Sequence, residues 1–142
     1  MSRKLFTTGC VVLIALGLVH LMGHYMMSTN QGETEQERQL LALMRSNPQD
    51  MGLGFVRTMF DILGGFSLYF SVSSLGLGLI GLVVRRHASA APGLLRQTAI
   101  AYAGTYGVAA AVGLRYWVPA PLFFLALAFV CFVAAVATAP RA

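Results

Sequence analysis

Four long apolar stretches alternate with short polar segments along this chain of 142 residues. They occupy residues 5–27, 59–84, 98–118 and 122–139. Their lengths suit helices that cross a bilayer, which need about 20 residues each. Backbone amides in hydrocarbon must be satisfied within the segment, and the stretches lack the alternation of barrel strands. The pattern therefore predicts an all-α integral membrane four-helix bundle that forms a single domain over residues 1–142.

Basic residues cluster at the ends of the apolar stretches, and their distribution predicts an orientation. With the N-terminus in the cytoplasm, six basic residues fall inside and four outside. The inner six are Arg3, Lys4, Arg85, Arg86, Arg96 and Arg141, and the outer four are Arg38, Arg45, Arg57 and Arg115. An excess of basic residues marks the cytoplasmic side. We therefore expect four crossings with both termini cytoplasmic. The basic start, short loops and compact size are typical of a bacterial inner-membrane protein.

The net charge of +5 has a different meaning here from that in a soluble protein. In a soluble domain such an excess would suggest nucleic acid, but these basic residues sit at span ends and serve topology. Hydrophobic residues make up 57% of the chain and charged residues 11%, which leaves no room for a separate soluble catalytic domain. The expected partners are the lipid bilayer and other membrane proteins or further copies of the chain, with no nucleic acid.

The first outer loop, residues 28–58, is the one long segment between predicted spans. Thr34 and Glu37 match a capping box, in which the Thr side chain accepts a backbone N–H and the Glu reaches back. A helix from about Glu35 to Arg45 should follow and should end at Asn47-Pro48. Its leucines gather toward one side, so we expect a short amphipathic helix on the outer membrane surface. A connector and a docking surface or lid both fit this pattern.

Ionisable side chains within a span are costly, so each one calls for an explanation. His20 and His24 lie four residues apart near the outer end of the first stretch, while Arg57 and Asp61 are four apart at the outer start of the second. Spacing of four residues places both members of a pair on one helix face. If the two helices are neighbours, these residues can form one polar cluster in the outer leaflet. A structural network of His, Asp and Arg is the simplest interpretation.

The same residues suggest a metal site as an alternative. His-x-x-x-His on a helix presents two nitrogens to one ion, and Asp61 would supply a third ligand for a transition metal. The metalloprotease motif is absent, because no Glu follows His20. Haem bound by two histidines of one chain is excluded, because His20 and His24 share a face and His87 lies at the opposite membrane surface. A single-His haem or one shared across a dimer is left open.

The third stretch carries a stripe of Tyr and Thr residues that includes Tyr106 near mid-membrane. Two interpretations are possible: hydroxyls that bond across helices and hold the bundle together, or a polar track that joins the His/Asp cluster to the inner side. The second would suit a small transporter or channel subunit. The inner half of the first stretch and the fourth stretch contain few polar residues, so the track is incomplete.

Two short motifs resemble those of a known family. The segment Val19-His20-Leu21-Met22-Gly23-His24 ends the first stretch, and Asp61-Ile62-Leu63-Gly64-Gly65-Phe66-Ser67-Leu68 opens the second. Together they resemble small four-span bacterial integral membrane proteins of unassigned function. The resemblance implies a fold and no activity. We expect a non-enzymatic subunit or assembly factor that acts through protein partners, with a metal-binding or redox component as the alternative and a transporter or channel subunit as the second alternative.

Overall fold

The computed structural model describes residues 1–88, 91, 93–116 and 119–139. Helices dominate these residues, with α1 at Ser2–Thr29, α2 at Glu35–Ser46, α3 at Met59–His87, α4 at Leu94–Tyr116 and α5 at Pro119–Thr138. A small antiparallel hairpin of β1, Pro48–Asp50, and β2, Val56–Thr58, separates α2 from α3. Arg141 and residues 117–118, which the sequence analysis placed at span ends, lie outside the described residues.

Three helices of the described residues are long and apolar enough to cross a membrane: α1, α3 and α5. The all-helical membrane class is therefore confirmed at this level. Helix α4 was predicted as the third span but is not among the three. Its composition explains the difference, because glycine, alanine, threonine and tyrosine dominate it and Arg96 and Arg115 lie near its ends.

The chain divides into two compact units. The first comprises Met1–Leu18 and Val72–Ala142, and the second comprises Val19–Ser71. The first unit thus contains the N-terminal part of α1, the C-terminal part of α3, and all of α4 and α5. The second contains the remaining parts of α1 and α3 together with α2 and the hairpin.

The core of the first unit is an aromatic cluster around Phe132, whose side chain is fully buried. The ring of Phe132 meets Tyr102 edge-on at 5.0 Å and Phe6 at 5.5 Å, and it stacks on Tyr106 at 6.1 Å. These edge-on and stacked arrangements are favourable for aromatic quadrupoles. A Cβ on Gly9 would lie 2.8 Å from the Phe132 ring, so glycine is what lets α1 approach α5 here.

Close approach of α1 and α3 in this unit also depends on glycine. A Cβ added at Gly78 would lie 2.7 Å from Cγ1 of Ile14 and 2.8 Å from the carbonyl oxygen of Cys10. Gly76, two residues earlier, has no atom within 4 Å of such a Cβ. Of these two glycines, Gly78 is therefore the one at which α3 approaches α1 closely. Helix α4 is joined to α3 by the Tyr102 hydroxyl, which donates to the Leu77 carbonyl at 2.8 Å.

The second unit is organised by helix caps. Thr34 accepts a hydrogen bond from Glu37 N, and the Glu37 carboxylate accepts one from Thr34 N, which completes the capping box of α2. Near the other end of α2, Arg45 donates to the Asn30 carbonyl at 3.0 Å, and its guanidinium lies 4.6 Å from the centre of the Phe60 ring. Helix α2 is thus tied to the end of α1 and to the start of α3.

Candidate functional site

Helix α3 presents two different sides within the second unit. At about 100° per residue, Gly64 and Ser67 fall on one side and Gly65 and Tyr69 on nearly the opposite one. The first side lies against α1, where the two histidines are. The second is exposed and forms one wall of a groove. The residues that the sequence analysis grouped into one cluster are divided between these two sides.

His20 is held between the helices by one polar and one aromatic contact. Its Nε2 is hydrogen-bonded to the Ser67 hydroxyl at 3.2 Å, and its ring meets Phe70 edge-on at 4.7 Å. The Ser67 carbonyl in turn accepts a hydrogen bond from the Ser71 hydroxyl at 3.0 Å. These contacts link α1 to α3 within the second unit.

His24 lies one turn further along α1, opposite Gly64. A Cβ on Gly64 would be 3.6 Å from Cε1 of His24, so the glycine leaves room for the imidazole. The Nδ1 atom of His24 is buried and has no hydrogen-bond partner among the described residues. A buried polar atom without a partner costs about 1 to 3 kcal/mol. This nitrogen is the feature of the structure that favours a bound ligand at the histidine pair.

Asp61 belongs to a helix cap. Its carboxylate oxygen Oδ2 accepts hydrogen bonds from Thr58 N at 3.1 Å and from the Thr58 hydroxyl at 2.8 Å, and Asp61 N donates to Thr58 Oγ1 at 3.1 Å. This reciprocal pattern is a capping box that starts α3. In the described part of the chain, no group of three or more His, Cys, Asp or Glu side chains could hold a metal ion. The structure therefore does not bring His20, His24 and Asp61 together as ligands.

Arg57 lies before α3, in strand β2, where it pairs across the hairpin with Gln49. The helical spacing used to place it on one face with Asp61 does not apply, because side chains alternate along a strand. Its Nη1 donates to the Val56 carbonyl at 2.8 Å. Arg57 is thus separated by local geometry from the side of α3 that carries the histidine contacts.

Tyr106, which belongs to the predicted polar stripe of the third stretch, is 5% exposed and lies within the aromatic core of the first unit. Its ring stacks on Phe132 and meets Tyr102 edge-on at 6.1 Å. These contacts support the interpretation in which the tyrosines of α4 hold the bundle together.

Arg57 and Asp61 line an open groove of about 780 Å³ between the hairpin and α3. Its apolar wall includes Ile62, Phe66 and Tyr69. Gly65 lies in the same wall, and a Cβ added there would meet no atom within 4 Å. The groove joins charged and apolar groups, and its polar end lies at the start of α3.

The hairpin that forms the other wall was not predicted from the sequence, since no strand was expected in the first outer loop. The Asp50 side chain accepts a hydrogen bond from Gly52 N at 2.8 Å, and Met51 N donates to the Phe55 carbonyl at 2.9 Å. Gly52 and Gly54 have φ of +82° and +81°, which glycine adopts at no steric cost. Gly52 and Gly54 flank Leu53 between two short segments, and a glycine-containing connection of this length is a hairpin signal in the sequence.

Comparison with known proteins gave no relative for this chain. No model of a protein family, no curated protein and no solved structure matches it. The functional proposal therefore depends on the contacts, exposure and charges of the chain's own residues.

Proposed function

We propose that this protein is a bacterial inner-membrane protein that crosses the bilayer four times, with both termini in the cytoplasm. In this proposal it has no enzyme activity and serves as a small subunit or assembly factor for other membrane proteins. Two observations support the proposal. One is the pairing of α4 with α5, which supports a fourth crossing. The other, which carries the functional part, is an apolar surface on α2.

The pairing of α4 with α5 is antiparallel. A Cβ added at Gly113 would lie 3.3 Å from Leu122 near one end of the pair, and one added at Gly107 would lie 3.0 Å from the Phe129 ring further along. Tyr102 meets Phe132 beyond that. A helix that packs along the length of a membrane-spanning α5 must occupy the same slab of bilayer. Helix α4 has 23 residues and is about 35 Å long, which exceeds the ~30 Å of the hydrocarbon core. Its two arginines then lie at opposite surfaces.

Cysteine labelling tests this topology. Gln36→Cys and Arg115→Cys should react with a membrane-impermeant maleimide added to intact cells, while His87→Cys should react only after the membrane is opened. Both natural cysteines, Cys10 and Cys131, are buried, and the unsubstituted chain controls for their background. If α4 does not cross, His87→Cys and Arg115→Cys will share one sidedness, which contradicts the proposed four crossings.

Helix α2 presents leucines that its own chain leaves uncovered. Leu40 and Leu43 are 57% and 61% exposed, although Arg45 fixes the helix to neighbouring elements. Residues three apart on a helix are neighbours, and such pairs serve as anchors when an amphipathic helix enters a partner's groove. Ordering the helix in advance lowers the entropy cost of binding. These features support α2 as the surface that docks a membrane-protein partner on the outer side.

The partner can be tested in native nanodiscs, which extract the protein with its surrounding bilayer. The proposal expects a second protein in stoichiometric amount, which Leu40→Glu/Leu43→Glu removes. The matched single variants are Leu40→Glu, which should also lose that protein, and Ala42→Glu, which adds the same charge about 160° away around α2 and should retain it. The proposal is wrong if the unsubstituted chain carries only lipid, or if both variants retain the same component.

A further inference from the structure

The groove beside α3 changes from polar to apolar along its length. Arg57, Thr58 and Asp61 line one end, and Ile62, Phe66 and Tyr69 follow along the helix. Helix α3 is one of the helices able to cross a membrane. From its first residue to Tyr69 it rises about 15 Å, which is the depth of one leaflet, half of a ~30 Å core. The groove therefore has the polarity and the length of a single phospholipid.

The polar end carries one cation and one anion, both exposed. In the described part of the chain, the side-chain hydrogen bond of Arg57 comes from Nη1. Its Nε and Nη2 can donate to another group, and a guanidinium recognises phosphate oxygens by paired donors. A phosphate at this end would meet a group suited to it.

Asp61 also retains capacity for a ligand. Both Thr58 hydrogen bonds are accepted by Oδ2, which leaves Oδ1 as an acceptor at the groove. A carboxylate can accept about four hydrogen bonds over its two oxygens, so the cap does not exhaust it. Next to a bound phosphate, Asp61 would repel a purely anionic headgroup. A headgroup that also carries an ammonium with N–H donors would satisfy both charges.

We infer that this groove binds one phospholipid with a phosphoethanolamine headgroup. Arg57 binds the phosphate, Asp61 accepts from the ammonium, and an acyl chain runs down the wall formed by Ile62, Phe66 and Tyr69. Gly65 gives the acyl chain its space, because apart from its chain neighbours and the local backbone of α3 no atom of the described residues lies within 4 Å of the position that a Cβ would occupy. The volume of about 780 Å³ lies in the range of specific ligand pockets, about 300 to 1,000 Å³.

Native mass spectrometry of the detergent-purified full chain tests this inference. The protein is incubated separately with phosphatidylethanolamine, phosphatidylcholine and phosphatidylglycerol, and bound lipid is counted against concentration. We expect one phosphatidylethanolamine to bind about tenfold more tightly than either other lipid, the difference that one charge-assisted hydrogen bond makes. Soluble phosphoethanolamine without acyl chains should compete weakly. Equal retention of the three lipids would overturn the headgroup assignment.

Substitutions separate the groove from general lipid adhesion. Gly65→Leu fills the groove and should abolish the single tight site. Gly23→Leu is the matched control, because Gly23 on α1 is also exposed with no atom within 4 Å of a Cβ. Arg57→Gln should weaken binding of every phospholipid, whereas Asp61→Asn should remove only the preference for ethanolamine over choline. Loss of lipid to the same degree in Gly65→Leu and Gly23→Leu would show that the helices bind annular lipid alone and would refute the site.

Discussion

The contact of α1 with α3 at Gly78 predicts a measurable difference between two glycines of the same helix. An alanine methyl at position 78 would lie 2.7 Å from Cγ1 of Ile14 and 2.8 Å from the Cys10 carbonyl oxygen. Favourable carbon contacts lie at about 3.5 to 4.0 Å. The Ile14 side chain can turn away, but the carbonyl is backbone, so the helices must separate. Overpacking of this kind costs about 1 to 3 kcal/mol.

Gly76→Ala provides the control, because no atom lies within 4 Å of a Cβ at that position. Both substitutions replace glycine within α3, so both gain the same helix propensity, about 1 kcal/mol. The difference between the two variants therefore isolates the cost of the clash. We expect Gly76→Ala to be as stable as the natural sequence or slightly more so, and Gly78→Ala to be about 1 to 3 kcal/mol less stable than Gly76→Ala.

The assay is reversible unfolding in mixed micelles, in which the SDS fraction is raised and helix content is followed by far-ultraviolet circular dichroism. Gly78→Val adds a graded test, since a larger side chain must separate the same backbone further. If Gly78→Ala unfolds within about 0.5 kcal/mol of Gly76→Ala, a difference typical of unconstrained surface positions, the close α1–α3 contact is wrong.

Three further predictions concern the second unit. Ser67→Ala removes the hydrogen bond to His20 and should cost about 0.6 kcal/mol in the same unfolding assay, a loss that should vanish in a His20→Ala background. Thr58→Ala removes the cap of α3 and should cost about 1 kcal/mol, with fraying at the start of the helix visible as faster amide exchange there. Metal analysis of the purified protein should find no stoichiometric transition metal, because His20 and Asp61 are engaged elsewhere. Stoichiometric metal that is lost in His20→Ala/His24→Ala would support the metal-binding alternative instead.

Helix positions were largely predictable from sequence because local signals determine them. The capping box at Thr34 and the stop at Asn47-Pro48 depend only on neighbouring residues, and α2 spans Glu35–Ser46. The apolar stretches at residues 5–27 and 59–84 lie within α1 and α3. Each strand has three residues, too few to show an alternating pattern, so the glycines at positions 52 and 54 were the one available sign of the hairpin.

The candidate site was less predictable because it depends on where a helix begins and how it is rotated. Treating Arg57 as helical placed it on one face with Asp61, whereas Thr58 caps α3 one residue later. Gly76 and Gly78 are equivalent in any count of small residues, yet only Gly78 meets α1. Gly64 and Gly65 differ in the same way. Gly64 faces His24, whereas Gly65 lies in the wall of the groove.

The polar groups around α3 are divided according to whether each side chain can lose its charge near pH 7. An imidazole can be neutral near pH 7, so His20 can lie between two helices with one hydroxyl as its partner. A guanidinium keeps its charge, and an exposed carboxylate keeps its own, so both belong where water or lipid headgroups can solvate them. The start of α3 is such a place, and its capping box leaves one Asp61 oxygen free for a ligand. We therefore place the proposed charged ligand at the groove, where Arg57 and Asp61 are accessible, whereas His20 is hydrogen-bonded to Ser67 between α1 and α3.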